Sequence, residues 1–280
     1  MTQIVHLSDT HFGTEIPEVV TALKQAITEL KPDIVLLTGD ITQRARRREF
    51  QAARDFMDQL ASKTRLVIPG NHDIPLFNVF ARLLTPYAAY QRAFGDCEST
   101  WCGDGVGIIG FNTTSRFRHT TGLLNPDYLT RRVRDIREKI GVDALLIACV
   151  HQPLSTAWPE DHGNVLLDSD AIAHAFSALK VDVVLSGHVH VPLMTSTHAV
   201  FPTLGRHFLL AGAGTAVSRR TRPTAPNSFN VITTNTATDG SPLMMLTHFD
   251  FDAVVGKFIA IAPMEGICQD GGWQLEAVRC

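Results

Sequence analysis

Cysteine is scarce: five residues in 280, Cys97, Cys102, Cys149, Cys268 and Cys280, an odd count with neither zinc-ligand spacing nor a disulfide framework. That excludes a Cys-rich structural zinc module and a disulfide-stapled scaffold, and a reducing, cytoplasmic setting is expected. No apolar run approaches the roughly 20 residues needed to cross a bilayer. The first strand-like stretch begins at about residue 3, which leaves no room for a charged leader, an apolar h-region and a cleavage site. The sequence therefore predicts no signal peptide and no membrane anchor. Excess basic charge is missing too, since 25 Lys and Arg stand against 28 Asp and Glu for a net charge of −3. This balance argues against a broad basic face and hence against a nucleic-acid partner. Internal repeats and low-complexity segments are also absent. With 45% hydrophobic and 19% charged residues, the composition is that of an ordinary globular chain, long enough for one large domain over residues 1–280.

Helix-like and strand-like segments alternate along the first two thirds. Residues 17–30 carry Val19, Val20, Leu23, Ile27 and Leu30 at helical spacing and stop near Lys31-Pro32. Residues 47–60 form a second such stripe through Phe50, Ala53, Phe56, Met57 and Leu60, and 128–140 and 169–179 predict two more helices. The apolar runs between them predict strands, so the fold class is α/β, with βαβ units placing sheet between helical layers. After His190 the pattern changes to short strands at 207–211, 229–233, 244–251 and 257–261, punctuated by Gly-Ala-Gly at 212–214 and by turn clusters at 223–227 and 239–242. A βαβ-type first part, about 1–190, and a mainly β second part, about 191–280, packed on the first, are expected within the single domain.

Polar groups that ligate metals cluster at five strand ends: Asp9-Thr10-His11, Gly39-Asp40, Gly70-Asn71-His72-Asp73, Val150-His151 and Gly187-His188-Val189-His190. The apolar runs before them are 4–7, 34–37, 66–68, 144–150 and 181–185, and open α/β sheets build their sites just beyond the carboxyl ends of strands. If the strand period of two persists through them, Asp9 with His11 and His188 with His190 each share a face. Carboxylate, imidazole and amide oxygen without thiolate suit Mn, Fe or Zn better than Mg alone. Seven such groups exceed the needs of one four-coordinate ion but serve two ions sharing a carboxylate, for which Asp40 is the natural bridge. Two ions roughly 3.5–4 Å apart can hold a hydroxide between them and clamp the attacking and leaving oxygens of a phosphoryl displacement.

The ordered set D-x-H, G-D, G-N-H-D, lone H and G-H-x-H, spanning residues 9–190, resembles the calcineurin-like metallophosphoesterase superfamily. The resemblance implies a two-sheet β-sandwich flanked by helices. It also implies that Asp9, His11, Asp40 and His190 hold one metal while Asp40, Asn71, His151 and His188 hold the other. His72 is then the non-ligand histidine that contacts the phosphate and protonates or stabilises the leaving oxygen, and Asp73 orients it. From its position alone, Asp73 serves equally as a helix N-cap before Ile74.

Within the superfamily the chain departs from the serine/threonine protein phosphatases, whose bridging Asp is followed by x-x-D-R-G, because Asp40 is followed here by Ile41-Thr42-Gln43-Arg44-Ala45. A protein substrate is disfavoured. The chain looks instead like the bacterial class III cyclic-nucleotide phosphodiesterase branch, so a small phosphodiester is the expected substrate, such as a cyclic nucleotide or a glycerophosphodiester. A phosphomonoesterase, a nuclease of the same fold and a non-catalytic binding scaffold are the alternatives, and homo-oligomerisation is left open. The arginines at 44 and 46–48 read as a solvated helix start, with reach to a substrate phosphate as the other use. Arg116, Arg118 and His119 sit in a loop that follows a strand at 106–112, where cleft-lining residues are common, and 158–164 reads as a solvated loop at the rim.

Overall fold

Unbroken apolar strands need cover on both faces, and the first two strands show how it is supplied. In Thr2–Leu7 (β1), Ile4 packs between two sheets whereas Val5 and Leu7 pack outward against helices. Ile34–Thr38 (β2) divides in the same way, with Ile34 and Leu36 inward and Val35 and Leu37 outward. Both faces are covered over residues 4–7 and 34–37, so neither strand shows the regular apolar–polar alternation of a half-exposed strand. The connecting helices Pro17–Leu30 (α1) and Arg47–Gln59 (α2) provide the outer layer. Pro17 opens α1 where a missing N–H is harmless, and Val19, Leu23 and Ile27 bury its stripe. Complete burial of Leu23 or Ile27 contributes about 1.5–3 kcal/mol each.

The computed structural model describes residues 1–236, 242–261, 263–269 and 271–278. After Thr64–Ile68 (β3) the chain forms the short helices Val79–Leu84 (α3) and Ala88–Phe94 (α4) and the strands Ser99–Gly103 (β4) and Val106–Gly110 (β5). Pro126–Ile140 (α5), Leu145–Cys149 (β6), Ser169–Ala178 (α6), Val183–Ser186 (β7), Leu193–Ser196 (β8) and Leu209–Gly212 (β9) follow. Ser228–Thr236 (β10), Pro242–Asp252 (β11), Lys257–Ala260 (β12), Met264–Gln269 (β13) and Gly272–Ala277 (β14) complete the described elements. One sheet runs β14-β13-β11-β10-β1-β2-β3, with β12 also paired to β11, and the other β4-β5-β6-β7-β9-β8. Helices α5 and α6 cover the outer face of the second sheet through Leu129, Val133, Ile172 and Phe176. This is the α/β two-sheet sandwich flanked by helices that the family resemblance implies. Among the described residues, no helix is long and apolar enough to cross a membrane.

The four expected helices are present with ends shifted by at most two residues. The second part of the chain completes both sheets: β8 and β9 join the second while β10 pairs antiparallel with β1, Ile4 opposite Ile232. Strands of one sheet need not be neighbours in sequence, and composition cannot reveal which sheet a short strand enters. The fully buried Trp273 of β14 then donates from Nε1 to Asp182 Oδ1 at 2.8 Å, tying the first sheet to the second. Helices α3 and α4 and strands β4, β8, β13 and β14 have no counterpart among the expected elements. Of the turn expected at 239–242, residues 239–241 lie outside the described residues.

Candidate metal centre

The carboxyl ends of β1 and β2 in one sheet meet those of β6 and β7 in the other, and all five motif segments converge there. Main-chain bonds extend the ladders past the strands: Asp9 N–H donates to Gly39 O at 3.0 Å, His11 N–H to Asp40 O at 2.9 Å, and Gly187 N–H to His151 O at 3.0 Å. His188 N–H donates to Asp9 Oδ2 at 2.9 Å and links the sheets directly. Such close approach needs glycine. A Cβ on Gly187 would lie 1.8 Å from Ser8 Oγ, and Gly39, at φ +95°, would put one 2.5 Å from His151 Nδ1.

Convergence does not come from the strand pleat, contrary to the expectation for the two x-His pairs. β1 ends at Leu7 and β7 at Ser186, so the pairs lie beyond regular strand. Asp9, His11, Asp40, His188 and His190 all take left-handed backbone conformations, with φ of 53°, 42°, 47°, 76° and 60°. Each such non-glycine residue costs on the order of 1–3 kcal/mol, and strain of this kind collects at functional sites.

The ligating atoms of Asp9, His11, Asp40 and His190 all lie within 4.8 Å of one another, as do those of Asp40, His151 and His188. Asp40 belongs to both groups. Asn71 Oδ1 stands 3.1 Å from His151 Nε2 and so adjoins the second. His190 Nδ1 donates to Arg220 O at 2.6 Å, which in the neutral ring leaves Nε2 as an acceptor 3.1 Å from Asp9 Oδ1. Asp9 Oδ1 and both ring nitrogens of His188 are buried without a hydrogen-bond partner. Acceptors facing acceptors and orphaned buried nitrogens are costly unless a cation joins them, so the donor set fits metal ions. His151 Nδ1 is directed at Thr38 O, 2.7 Å away, a contact that holds the ring with Nε2 towards Asp40 and Asn71 and is of the kind that orients metal-ligating imidazoles. Burial opposes charge on His151, but Asp40 and Asp9 prevail and raise it to about 9, whereas burial depresses His188 to about 3 and His11 to about 4. Burial alone would raise the Asp40 carboxyl, but His151, His72 and His11 hold it well below the usual range.

His72 is half-buried at the mouth, its ring edge-on to His11 with centroids 4.9 Å apart. Its backbone N–H donates to Asp40 Oδ1 at 2.8 Å and its Nδ1 donates to Gln43 O at 3.0 Å, which leaves Nε2 to accept from Arg220 at 2.9 Å. Asp73 does not touch that ring, a correction to its expected orienting contact. Its carboxylate accepts the N–H groups of Gly70, Ile41 and Thr42 and the Thr42 hydroxyl at 2.8–3.1 Å, and so fixes the two loops carrying Asp40 and His72. Burial, with Asp40 nearby, pushes the Asp73 carboxyl up to about 7, and the same donors pull it back. Nor is it the N-cap of a helix starting at Ile74, which is extended; Asp73 instead closes the short 3-10 turn Asn71–Asp73 and accepts the N–H of Gly70 at its start.

Arg220 escaped the sequence reading. It lies in Ser218-Arg219-Arg220-Thr221-Arg222, and the available signal was its place in the loop beyond the carboxyl end of β9. The arginines at 44 and 46–48 are exposed around the start of α2, as expected. Of the 116–119 loop, His119 lines a cavity of about 130 Å³ together with Asn71, His72 and Leu76. The 158–164 rim is not simply solvated: buried Asp161 pairs with Arg222 at 2.8 Å, and Arg222 lies 5.0 Å from the Trp158 ring centroid, clasping this rim to the loop of Arg220.

The profile of the family described as calcineurin-like phosphoesterase matches residues 2–192. The chain is 24% identical over 190 residues to a probable cyclic nucleotide phosphodiesterase of Vesicomyosocius okutanii subsp. Calyptogena okutanii (strain HA), covering 66% of this chain and 75% of that one. Among solved structures it resembles purple acid phosphatase PPD1 of yellow lupin, Lupinus luteus (TM-score 0.65, 14% identity, 92% of this chain), spanning 52% of that chain, about half its length. It also resembles a dimetal phosphatase from Danio rerio (TM-score 0.62, 10% identity), with 93% of this chain and 98% of that one covered.

Proposed function

The chain belongs to the calcineurin-like phosphoesterase family, and from that premise we propose that it is a cytoplasmic hydrolase of small phosphodiesters working with two metal ions. The observation that carries this reading is the sharing of Asp40 between two ligand groups whose atoms each lie within 4.8 Å. Asp9, His11, Asp40 and His190 would hold one ion, and Asp40, Asn71, His151 and His188 the other. Mn, Fe and Zn suit this mixture of carboxylate, imidazole and amide oxygen. Bound there, the pair would polarise the phosphoryl group and make an attacking water more acidic.

The remaining steps fall to the side chains. The His72 ring, fixed through Nδ1 by Gln43, offers Nε2 to the leaving oxygen. To act as an acid it must exchange Arg220 for a proton at that atom, and the guanidinium so released is free to take a phosphoryl oxygen. Asp73 positions both loops from behind.

A diester is favoured over a monoester because attack on phosphorus is easier when the substrate carries one negative charge rather than nearly two, and the name of the curated relative points the same way. Cyclic nucleotides and glycerophosphodiesters are the candidate substrates. Measured as kcat/KM on the manganese-loaded protein, bis-(p-nitrophenyl) phosphate should be hydrolysed faster than the mono-ester, and chelation should abolish both reactions. A clear preference for the monoester at neutral pH would overturn the diesterase reading.

Metal uptake should also be linked to protons. His151, raised to about 9, is protonated below that pH when no metal is bound and must lose that proton to become a ligand. Affinity should therefore fall as pH falls below about 9, with proton release on binding. Calorimetric titrations in two buffers of different ionisation enthalpy measure it, and equal heats in both would contradict the assignment of His151.

A further inference from the structure

One outer corner of the molecule is both greasy and basic. Phe77 and Phe80 are 78% and 81% exposed, Val79 and Leu84 are also exposed, and Phe117, on a different loop, is 78% exposed. Scattered exposed hydrophobes are ordinary, but a contiguous group of this kind marks an interaction surface. The group is held together by hydrogen bonds between α3 and the 115–118 loop. Arg82 of α3, only 7% exposed, donates from its guanidinium to the carbonyls of Pro75, Ser115, Arg116 and Arg118 at 2.7–3.4 Å, and Arg116 donates back to Leu83 O. A buried cation used solely to hold carbonyls locks the 115–118 loop onto α3 and keeps Phe117 with the helix residues.

Charge supplies the second half of the argument. Although the chain as a whole carries −3, the groove of about 460 Å³ beside Phe77 is lined by Arg44, Arg47 and Arg92, and Arg116 and Arg118 are exposed on the adjoining loop. Arg44 lies 5.2 Å from the Phe77 ring centroid and Arg116 5.5 Å from that of Phe117. Aromatic and aliphatic side chains flanked by arginine are what an anionic membrane interface binds: the apolar groups enter the acyl boundary and the guanidinium groups meet the headgroups. A two-fold contact with a second copy would instead press these arginines towards their own equivalents. The corner also borders the site, because Leu76 shares a cavity with Asn71 and His72.

We propose that α3 and the 115–118 loop seat the protein peripherally on an anionic lipid surface, with the mouth of the metal centre beside the headgroups. The seat rests on surface chemistry and stands whether or not the diesterase reading does. Full-length protein should co-sediment at low salt with vesicles of equimolar phosphatidylglycerol and phosphatidylcholine, less with phosphatidylcholine alone, and less as salt rises. Combined Phe77→Ser, Phe80→Ser and Leu84→Ser should weaken partitioning about tenfold or more while leaving turnover of bis-(p-nitrophenyl) phosphate unchanged. A Phe80→Trp protein should show a blue shift of its added emission with anionic vesicles. Absence of binding at low salt, equal binding by the triple variant, or an unshifted tryptophan would each overturn the proposal. So would sedimentation velocity showing a wild-type dimer that the triple substitution dissociates, since a second copy would then own the surface.

Discussion

Asp40→Ala should strip both metal ions from the protein and reduce hydrolysis to background. Its carboxylate is the group common to both ligand sets, so its loss removes an anion from each ion at once. Its Oδ1 also accepts the His72 backbone N–H, so the variant loosens the proposed acid as well. Asp9→Ala, by contrast, removes a ligand from one set and only a backbone contact to His188 from the other, and should leave the other ion partly retained. Elemental analysis against protein concentration reads both effects. Two ions retained in Asp40→Ala with near-normal turnover would rule out a bridging carboxylate. Asp40→Asn distinguishes charge from shape: the amide preserves the volume beside Gly70 but cannot bridge two cations as an anion does.

Turnover by His72→Ala should drop by about 10² to 10⁴, the usual contribution of a general acid, with metal content intact. The loss should grow as the leaving group becomes more basic, because poor leaving groups need the proton most. Arg220→Ala should share part of this defect, since its guanidinium contacts His72 Nε2, but with a larger share in KM if it also receives a phosphoryl oxygen. A loss independent of leaving group would make His72 a positioning residue. Loss of a metal in the same variant would show that it is a ligand.

The alternation of strands with helices and the meeting of the five motif segments were legible because both follow from local sequence, apolar runs with polar groups just beyond their carboxyl ends, whereas the two-sheet sandwich came from the family resemblance. What stayed hidden depends on contacts remote in the chain. The expected face-sharing of Asp9 and His11 assumed a pleat where the backbone is left-handed, and no residue-type pattern announces αL at an aspartate or histidine. Asp73 was given the wrong contact, because its four donors come from the Asp40 loop and its own turn. Arg220 received no reading because nothing within several residues of it hints at His72. The exposed segment 76–84 carries no stripe against a core, so periodicity could not find α3.

The position of β1 has a consequence for biosynthesis. This strand precedes Asp9 and His11, and it lies between β2 and β10, partners from opposite ends of the chain. As the polypeptide leaves the ribosome, β2 is available early, but the other edge of β1 stays bare until residues 228–236 emerge. The carbonyl directed at His190, that of Arg220, also emerges only after β9. A fragment ending between β9 and β10 would contain every candidate ligand while presenting an open apolar edge, the usual template for aggregation. The shortest piece that carries the ligands is therefore shorter than the shortest piece that can hold them.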